Sequence, residues 1–254
     1  MADIARGADK RTYPPQAAEA WDADARFYLT MVLVSAALIF VGFAPSFYLK
    51  SVIVAPVPPL TLLTITHGVV FTGWVALFIT QAALIARRNA ALHRRLGVMG
   101  ALLFGAVVML GVWTAVEAGR LGHAPPGAPA PLAFMALPLF AITTALVLVA
   151  AALWNRQKSP WHKRLMLASL FIMTGPGTAR IFIPLGFAPQ ASQAAIVVAE
   201  LLLAVSIVHD LRSHKQVHRA YLYAAGVFAV FHAGVTWAFG SPLWLDFANA
   251  LTAG

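Results

Sequence analysis

Long apolar runs alternate with short polar connections along the chain, and seven of the runs approach or exceed the length a bilayer demands. A hydrocarbon core of about 30 Å needs about 20 helical residues at 1.5 Å per residue. The runs at 27–49, 60–86, 96–118, 131–154, 165–185, 192–208 and 220–240 fit that ruler. The sixth is the shortest, and the second is long enough to tilt. The pattern predicts an all-α integral membrane bundle of seven transmembrane helices over 27–240. Residues 1–26, with Asp3, Asp9, Lys10, Arg11 and Glu19, read as a polar cytoplasmic tail too acidic for a secretory signal. Residues 241–254 read as a short outer tail that Trp244 places at the interface.

Composition agrees: 60% of residues are hydrophobic, 11% are charged, and mean hydropathy is +0.78. Soluble domains carry roughly a quarter charged residues, so lipid is the solvent. The absence of cysteine excludes disulfides, thiolate metal sites and a cysteine nucleophile. The net charge of +9 is explained by where it falls. Of 18 Lys and Arg, fifteen fall in the amino-terminal tail and in alternate connections, at 6, 10, 11 and 26, at 87, 88, 94 and 95, at 156, 158, 163 and 164, and at 212, 215 and 219. Lys50 and Arg120 lie on the other side, and Arg180 lies within a run. Positive loops stay inside, so the sequence predicts a bacterial inner-membrane protein with a cytoplasmic amino terminus and a periplasmic carboxyl terminus. Topology and contact with anionic lipid account for the cations, which removes nucleic acid as a partner. The lipid bilayer is the partner composition implies.

Three of the cytoplasmic connections end in a basic, His-led helix start: His93-Arg94-Arg95-Leu96-Gly97, His162-Lys163-Arg164-Leu165-Met166 and His218-Arg219-Ala220-Tyr221-Leu222. The architecture predicted is one leading helix plus three hairpins in parallel repeat. The stretches Thr66 to Trp74, Leu92 to Gly97 and Trp161 to Met166 resemble a group of uncharacterised bacterial multi-pass membrane proteins known only as a domain of unknown function. That resemblance implies the same fold and an inner-membrane address, and it brings no catalytic residues with it.

Ionisable side chains inside apolar runs are costly and mark sites. His67, Arg180, Glu200 and His232 qualify, with Glu117 near the outer end of the third run. Measured from the basic ends, Glu200 and His232 lie about 18 to 20 Å deep, Arg180 about 24 Å and His67 about 30 Å. Thr64, His67, Trp74 and Gln81 share one helical face. In Thr174-Gly175-Pro176-Gly177-Thr178-Ala179-Arg180 the proline removes a helical donor, so a break is expected there, as either a repaired kink or a binding element. Arg180 one turn on calls for a carboxylate, Glu200 first and Glu117 second. Gly97, Ala101 and Gly105, with Gly100 and Gly111 nearby, read as close helix packing. His93, His162 and His218 are either solvated helix starts or metal ligands, while His209, Asp210 and His214 read as loop residues.

Three functional classes remain. The first is a redox protein with a b-type haem between His67 and His232, Arg180 facing a propionate, and an anionic small molecule or a quinone as partner. In the second, His67, His232 and Glu200 hold a divalent metal such as zinc for hydrolysis. The third is a non-enzymatic transporter, sensor or assembly factor built on a buried Arg180–Glu200 pair and titrating histidines. Retinal is excluded, because no lysine falls within a run. Whether the protein is an enzyme is left open.

Overall fold

The computed structural model describes residues 15–53 and 59–253, of which 15–20 by backbone alone. The part of the expected tail at 1–14 lies outside the described residues. Among the described residues there are ten α-helices and no strand. They are α1 (Pro15–Phe43), α2 (Leu62–Ala86), α3 (Ala90–Arg120), α4 (Pro131–Phe134), α5 (Ala136–Trp154), α6 (Ser159–Met173), α7 (Gly175–Phe182), α8 (Ala191–His214), α9 (Arg219–Gly240) and α10 (Pro242–Thr252).

Six stretches are long and apolar enough to cross a membrane: Trp21–Tyr48, Leu62–Ala86, Ala90–Arg120, Pro131–Trp154, Ser159–His214 and Arg219–Gly240. Length and composition thus fit a multi-pass membrane protein. The fifth stretch holds two of the expected runs in 56 residues. It is not straight. A π-helical turn at Ile183–Phe187 contains Gly186 at φ 90°, and α8 then packs back along α7 and α6. A positive φ costs glycine little, which is why the chain can reverse there.

Helix α1 begins twelve residues before the predicted run at 27. The reason is tertiary: Asp22 bonds Arg88 at 2.8 Å, and Asp24 bonds Lys163 and His209. These contacts gather the start of α1 and the basic connections at one end of the bundle, called here the basic end. Hairpin α2–α3 turns through Arg88 at φ 58°, and the Asn89 side chain caps α3 by accepting from Leu92 N.

Helix α6 is the centre. Leu165, Ala168, Leu170 and Phe171 are fully buried among α5, α8, α9 and α1, and a helix apolar on every side belongs in the middle of a bundle. At Thr174 it breaks into α7, as the proline requires. Thr174 Oγ1 donates to Phe171 O at 2.6 Å and Thr178 Oγ1 to Thr174 O at 3.1 Å, so both hydroxyls are bonded to backbone carbonyls beside the kink. The neighbouring glycine serves packing: a Cβ on Gly177 would stand 2.8 Å from Ile39 Cα in α1.

The close packing expected of the α3 glycines holds in part. Gly105 is exposed, with nothing within 4 Å of a Cβ placed there among the described residues, whereas a Cβ on Gly111 would meet Ile142 Cδ1 of α5 at 3.0 Å. Helix α3 buries Phe104, Val107, Gly111 and Ala115, and Gly97 and Gly100 face Gln81 and Leu77 of α2, so Gly105 stands outside the packed faces. The expected outer tail carries α10 over Pro242–Thr252. Trp244 is buried, and its Nε1 donates to Leu132 O at 2.9 Å, so it anchors α10 to the bundle while Leu243, Phe247 and Leu251 stay exposed.

Candidate functional site

Glu200 lies on α8, fourteen residues from its end at His214, and His232 lies on α9, thirteen residues from its start at Arg219. Both are therefore about 20 Å from the basic end at 1.5 Å per residue, midway along apolar helices. Gln193, seven residues before Glu200, shares its helical face. His232 Nδ1 is 2.7 Å from Glu200 Oε1, and His232 Nε2 is 2.9 Å from Gln193 Nε2.

Donor accounting assigns a hydrogen to each of the two contacts. A carboxylate only accepts, so Nδ1 carries the hydrogen and donates to Glu200; the Gln193 amide then donates to the lone pair on Nε2. This assignment places a ring hydrogen on Nδ1. A second proton on Nε2 would oppose the amide N–H and require Gln193 to present its oxygen instead, so the trio has two discrete hydrogen-bonding states. The His232 and Glu200 side chains are 33% and 37% exposed. The trio thus faces outward between α8 and α9 rather than into the core.

The other sequence candidates lie apart. His67 rests on Phe71 with ring centres 6.1 Å apart, and its Nδ1 is buried without a hydrogen-bond partner among the described residues. Its helix α2 packs chiefly on α1 and α3, while α9 packs chiefly on α4, α5, α6, α8 and α10. Arg180 donates to Pro176 O at 2.9 Å and sits 4.3 Å from the Phe43 ring centre, a cation–π contact. It is not paired with either carboxylate proposed for it: Glu200 bonds His232, and Glu117 holds Arg120 through two bonds of 2.8 and 2.6 Å. Since Gln193 engages His232 Nε2 and Arg180 is turned to Pro176 and Phe43, the donor set as arranged does not fit a bis-imidazole haem. Nor does any group of three or more His, Asp or Glu side chains among the described residues converge as metal ligands, which separates His67 from the Glu200–His232 pair.

The densest polar network is one that loop-like sequence concealed. At the basic end Arg164 makes two bonds to Asp210, 2.9 and 2.6 Å, with the side chains 4% and 0% exposed. Asp210 also accepts from His218 N at 3.1 Å, and Arg164 donates to Pro160 O at 2.9 Å. Beside it Lys163 pairs with Asp24, Tyr28 and Tyr221 share a 3.3 Å hydroxyl contact, and His209 stacks on Phe27. The network ties α1, α6, α8 and α9 together. Its sequence signal was the placement of Asp24 and Asp210 next to apolar runs in a chain with only nine acidic residues. His218 Nδ1 accepts from Ala220 N and caps α9. Burial and the nearby Arg164 cation hold the His218 imidazole below its ordinary pKa.

Of the three helix-start histidines, His93 and His162 come together with ring centres 6.3 Å apart, while His218 packs on Trp161 at 5.5 Å. Comparison of the chain with family models, with curated proteins and with solved structures finds no match.

Proposed function

We propose that this chain is a bacterial inner-membrane protein of seven crossings, amino terminus inside and carboxyl terminus outside, that binds a lipid-soluble molecule of the quinone class without catalysing its chemistry. Its role on this reading is carriage, sensing or assembly. The crossing number follows from the fifth apolar stretch: 56 residues of straight helix would run about 84 Å, far beyond a 30 Å core, and a reversal at Gly186 makes two crossings of it. The concentration of cations at the basic end supports the orientation, and the likeness to bacterial multi-pass proteins supports the address.

The observation that carries the ligand class is the outward-facing trio of His232, Glu200 and Gln193 midway along α8 and α9. Polar groups turned toward hydrocarbon cost several kcal/mol unless they are satisfied. A quinone supplies a carbonyl oxygen to the second N–H of the Gln193 amide, and its reduced form supplies a hydroxyl to the second oxygen of the Glu200 carboxylate. Its flat apolar ring matches Val197, which is exposed one turn from both Gln193 and Glu200 on the same face of α8. The test is titration of the protein in lipid nanodiscs with a short-chain benzoquinone, read by calorimetry. Saturable binding weakened at least tenfold by His232→Phe and by Glu200→Leu is expected. Equal binding by wild type and both variants would overturn the proposal. A Soret band in the purified protein, abolished by changing either His67 or His232, would put haem in its place.

A further inference from the structure

Two apolar runs border charged residues at the basic end. The run that starts at 27 follows directly on Arg26, and the run that ends at Ala86 is followed by Arg87 and Arg88. The fold brings these borders together around one cleft of about 350 Å³, lined by Asp22, Ala25 and Arg26 of α1 and by Ala86, Arg87 and Arg88 at the end of α2. That volume lies within the range of small-ligand sites. Its two alanines leave the room, since a larger side chain at either position would extend into it. Three guanidinium cations and one carboxylate line the cleft. Arg88 Nη2 donates to Asp22 Oδ1 at 2.8 Å, and the two side chains are 43% and 45% exposed, so even this pair stays within reach of a ligand. Arg26 and Arg87 are exposed and make no hydrogen bond or ion pair with any described residue. Two positive charges therefore stand unmatched at the cleft.

We infer that this cleft binds the headgroup of an anionic phospholipid in the adjoining leaflet, a diphosphatidyl lipid ahead of one with a single phosphate. A residue that borders an apolar run stands at the edge of the hydrocarbon core, at the level of the headgroups, and basic pockets between transmembrane helices hold such groups. Guanidinium meets phosphate through two parallel N–H···O bonds. Arg26 and Arg87 come from different helices, so a bound headgroup would join α1 to the α2–α3 turn. Two unmatched cations equal the charge of two phosphodiesters, whereas a zwitterionic headgroup brings an ammonium that the same cations repel. Asp22 opposes the phosphate and limits the affinity. The competing account is a diffuse cationic surface with no seat, in which any exposed cation of the basic end counts equally. Arg219, exposed at the start of α9, lies outside the cleft and separates the two accounts.

The site goes beyond the quinone reading and does not depend on it, because the His232 trio lies about 20 Å from the basic end. The full chain in detergent is titrated with tetraoleoyl cardiolipin, dioleoyl phosphatidylglycerol or dioleoyl phosphatidylcholine, and bound lipids are counted by native mass spectrometry. One cardiolipin is expected to bind ahead of the other two lipids. Its affinity should fall about fivefold in Arg26→Gln and in Arg87→Gln, the effect of one cation at a lipid surface. Ala86→Leu, which fills the cleft without changing its charge, should weaken binding comparably, and Arg219→Gln should leave it unchanged. Asp22→Asn should tighten it, a gain that misfolding does not imitate. Equal losses in Arg219→Gln and Arg87→Gln, wild-type binding by Ala86→Leu, or an Asp22→Asn variant no tighter than wild type would overturn the site. So would phosphatidylcholine binding as tightly as cardiolipin, or displacement of cardiolipin by an equal concentration of inorganic phosphate, which would make the ligand a soluble anion.

Discussion

Gly177 of α7 lies directly against the backbone of Ile39 in α1, so that a Cβ at Gly177 would stand 2.8 Å from the Ile39 Cα. Small residues allow transmembrane backbones to approach in this way, and here the approach sits beside the proline that breaks the fifth apolar stretch. The GPG sequence therefore bends the chain and seats the bend on α1. A rigid backbone contact cannot yield as a flexible side chain can. Gly177→Val is expected to destabilise the protein by about 3 kcal/mol or more, at the upper end of overpacking costs, while Gly105→Ala is expected to be neutral or slightly stabilising because that position is open. The check is the temperature at which half the protein loses monodispersity in detergent.

The Arg164–Asp210 pair makes a second prediction. Removing one member of a buried ion pair strands the other charge, at a cost of about 3–5 kcal/mol, whereas replacing both with apolar residues can be close to neutral. Asp210→Leu alone should therefore lower stability more than the double change Arg164→Met with Asp210→Leu. Asp210 also accepts from His218 N, so the double variant should not recover fully. A double-mutant cycle on thermal stability measures the coupling.

The hydrogen bonding of His232 fixes a tautomer that spectroscopy can read. Nitrogen-15 NMR of labelled protein in lipid should find Nδ1 protonated and Nε2 bare at neutral pH. In Glu200→Leu the acceptor that holds the hydrogen on Nδ1 is gone, and the Nε2–H form should appear. A wild-type spectrum dominated by Nε2–H would contradict the geometry.

His218 carries a pH dependence whose sign follows from its surroundings. Burial and Arg164 lower its pKa in the folded chain, so the unfolded chain binds the proton more readily and stability rises with pH. The contribution is fully present above the unfolded value of about 6.5 and is lost progressively as pH falls from there toward the folded pKa. Protonation also removes the Nδ1 lone pair that caps Ala220 N. His218→Asn, which keeps a capping acceptor but does not titrate, should lose less stability than wild type between pH 7.5 and pH 5, as measured by thermal denaturation.

Much of the fold was legible because its signals are local. An apolar run long enough for lipid, a basic connection and a Pro-Gly pair each act through their own few residues. The long apolar helices, the gathered basic end and the break at Thr174 follow from these signals. Ionisable residues inside apolar runs likewise singled out Glu200 and His232. The partners were not legible. Arg180 was matched with Glu200 on charge alone, yet it finds its own Pro176 carbonyl and the Phe43 ring, leaving the carboxylate to His232.

What the sequence by itself determined is which segments prefer lipid and which end bears the positive charge, because partition and local propensity are sums over neighbouring residues. What only the tertiary structure decided is which side chains meet: Lys163 with Asp24 across 139 positions, Glu200 with His232 across 32, and His93 with His162. Those meetings depend on how helices rotate and approach, and that is set by close packing at places such as Gly177 and Ile39, where contact involves residues far apart in the chain.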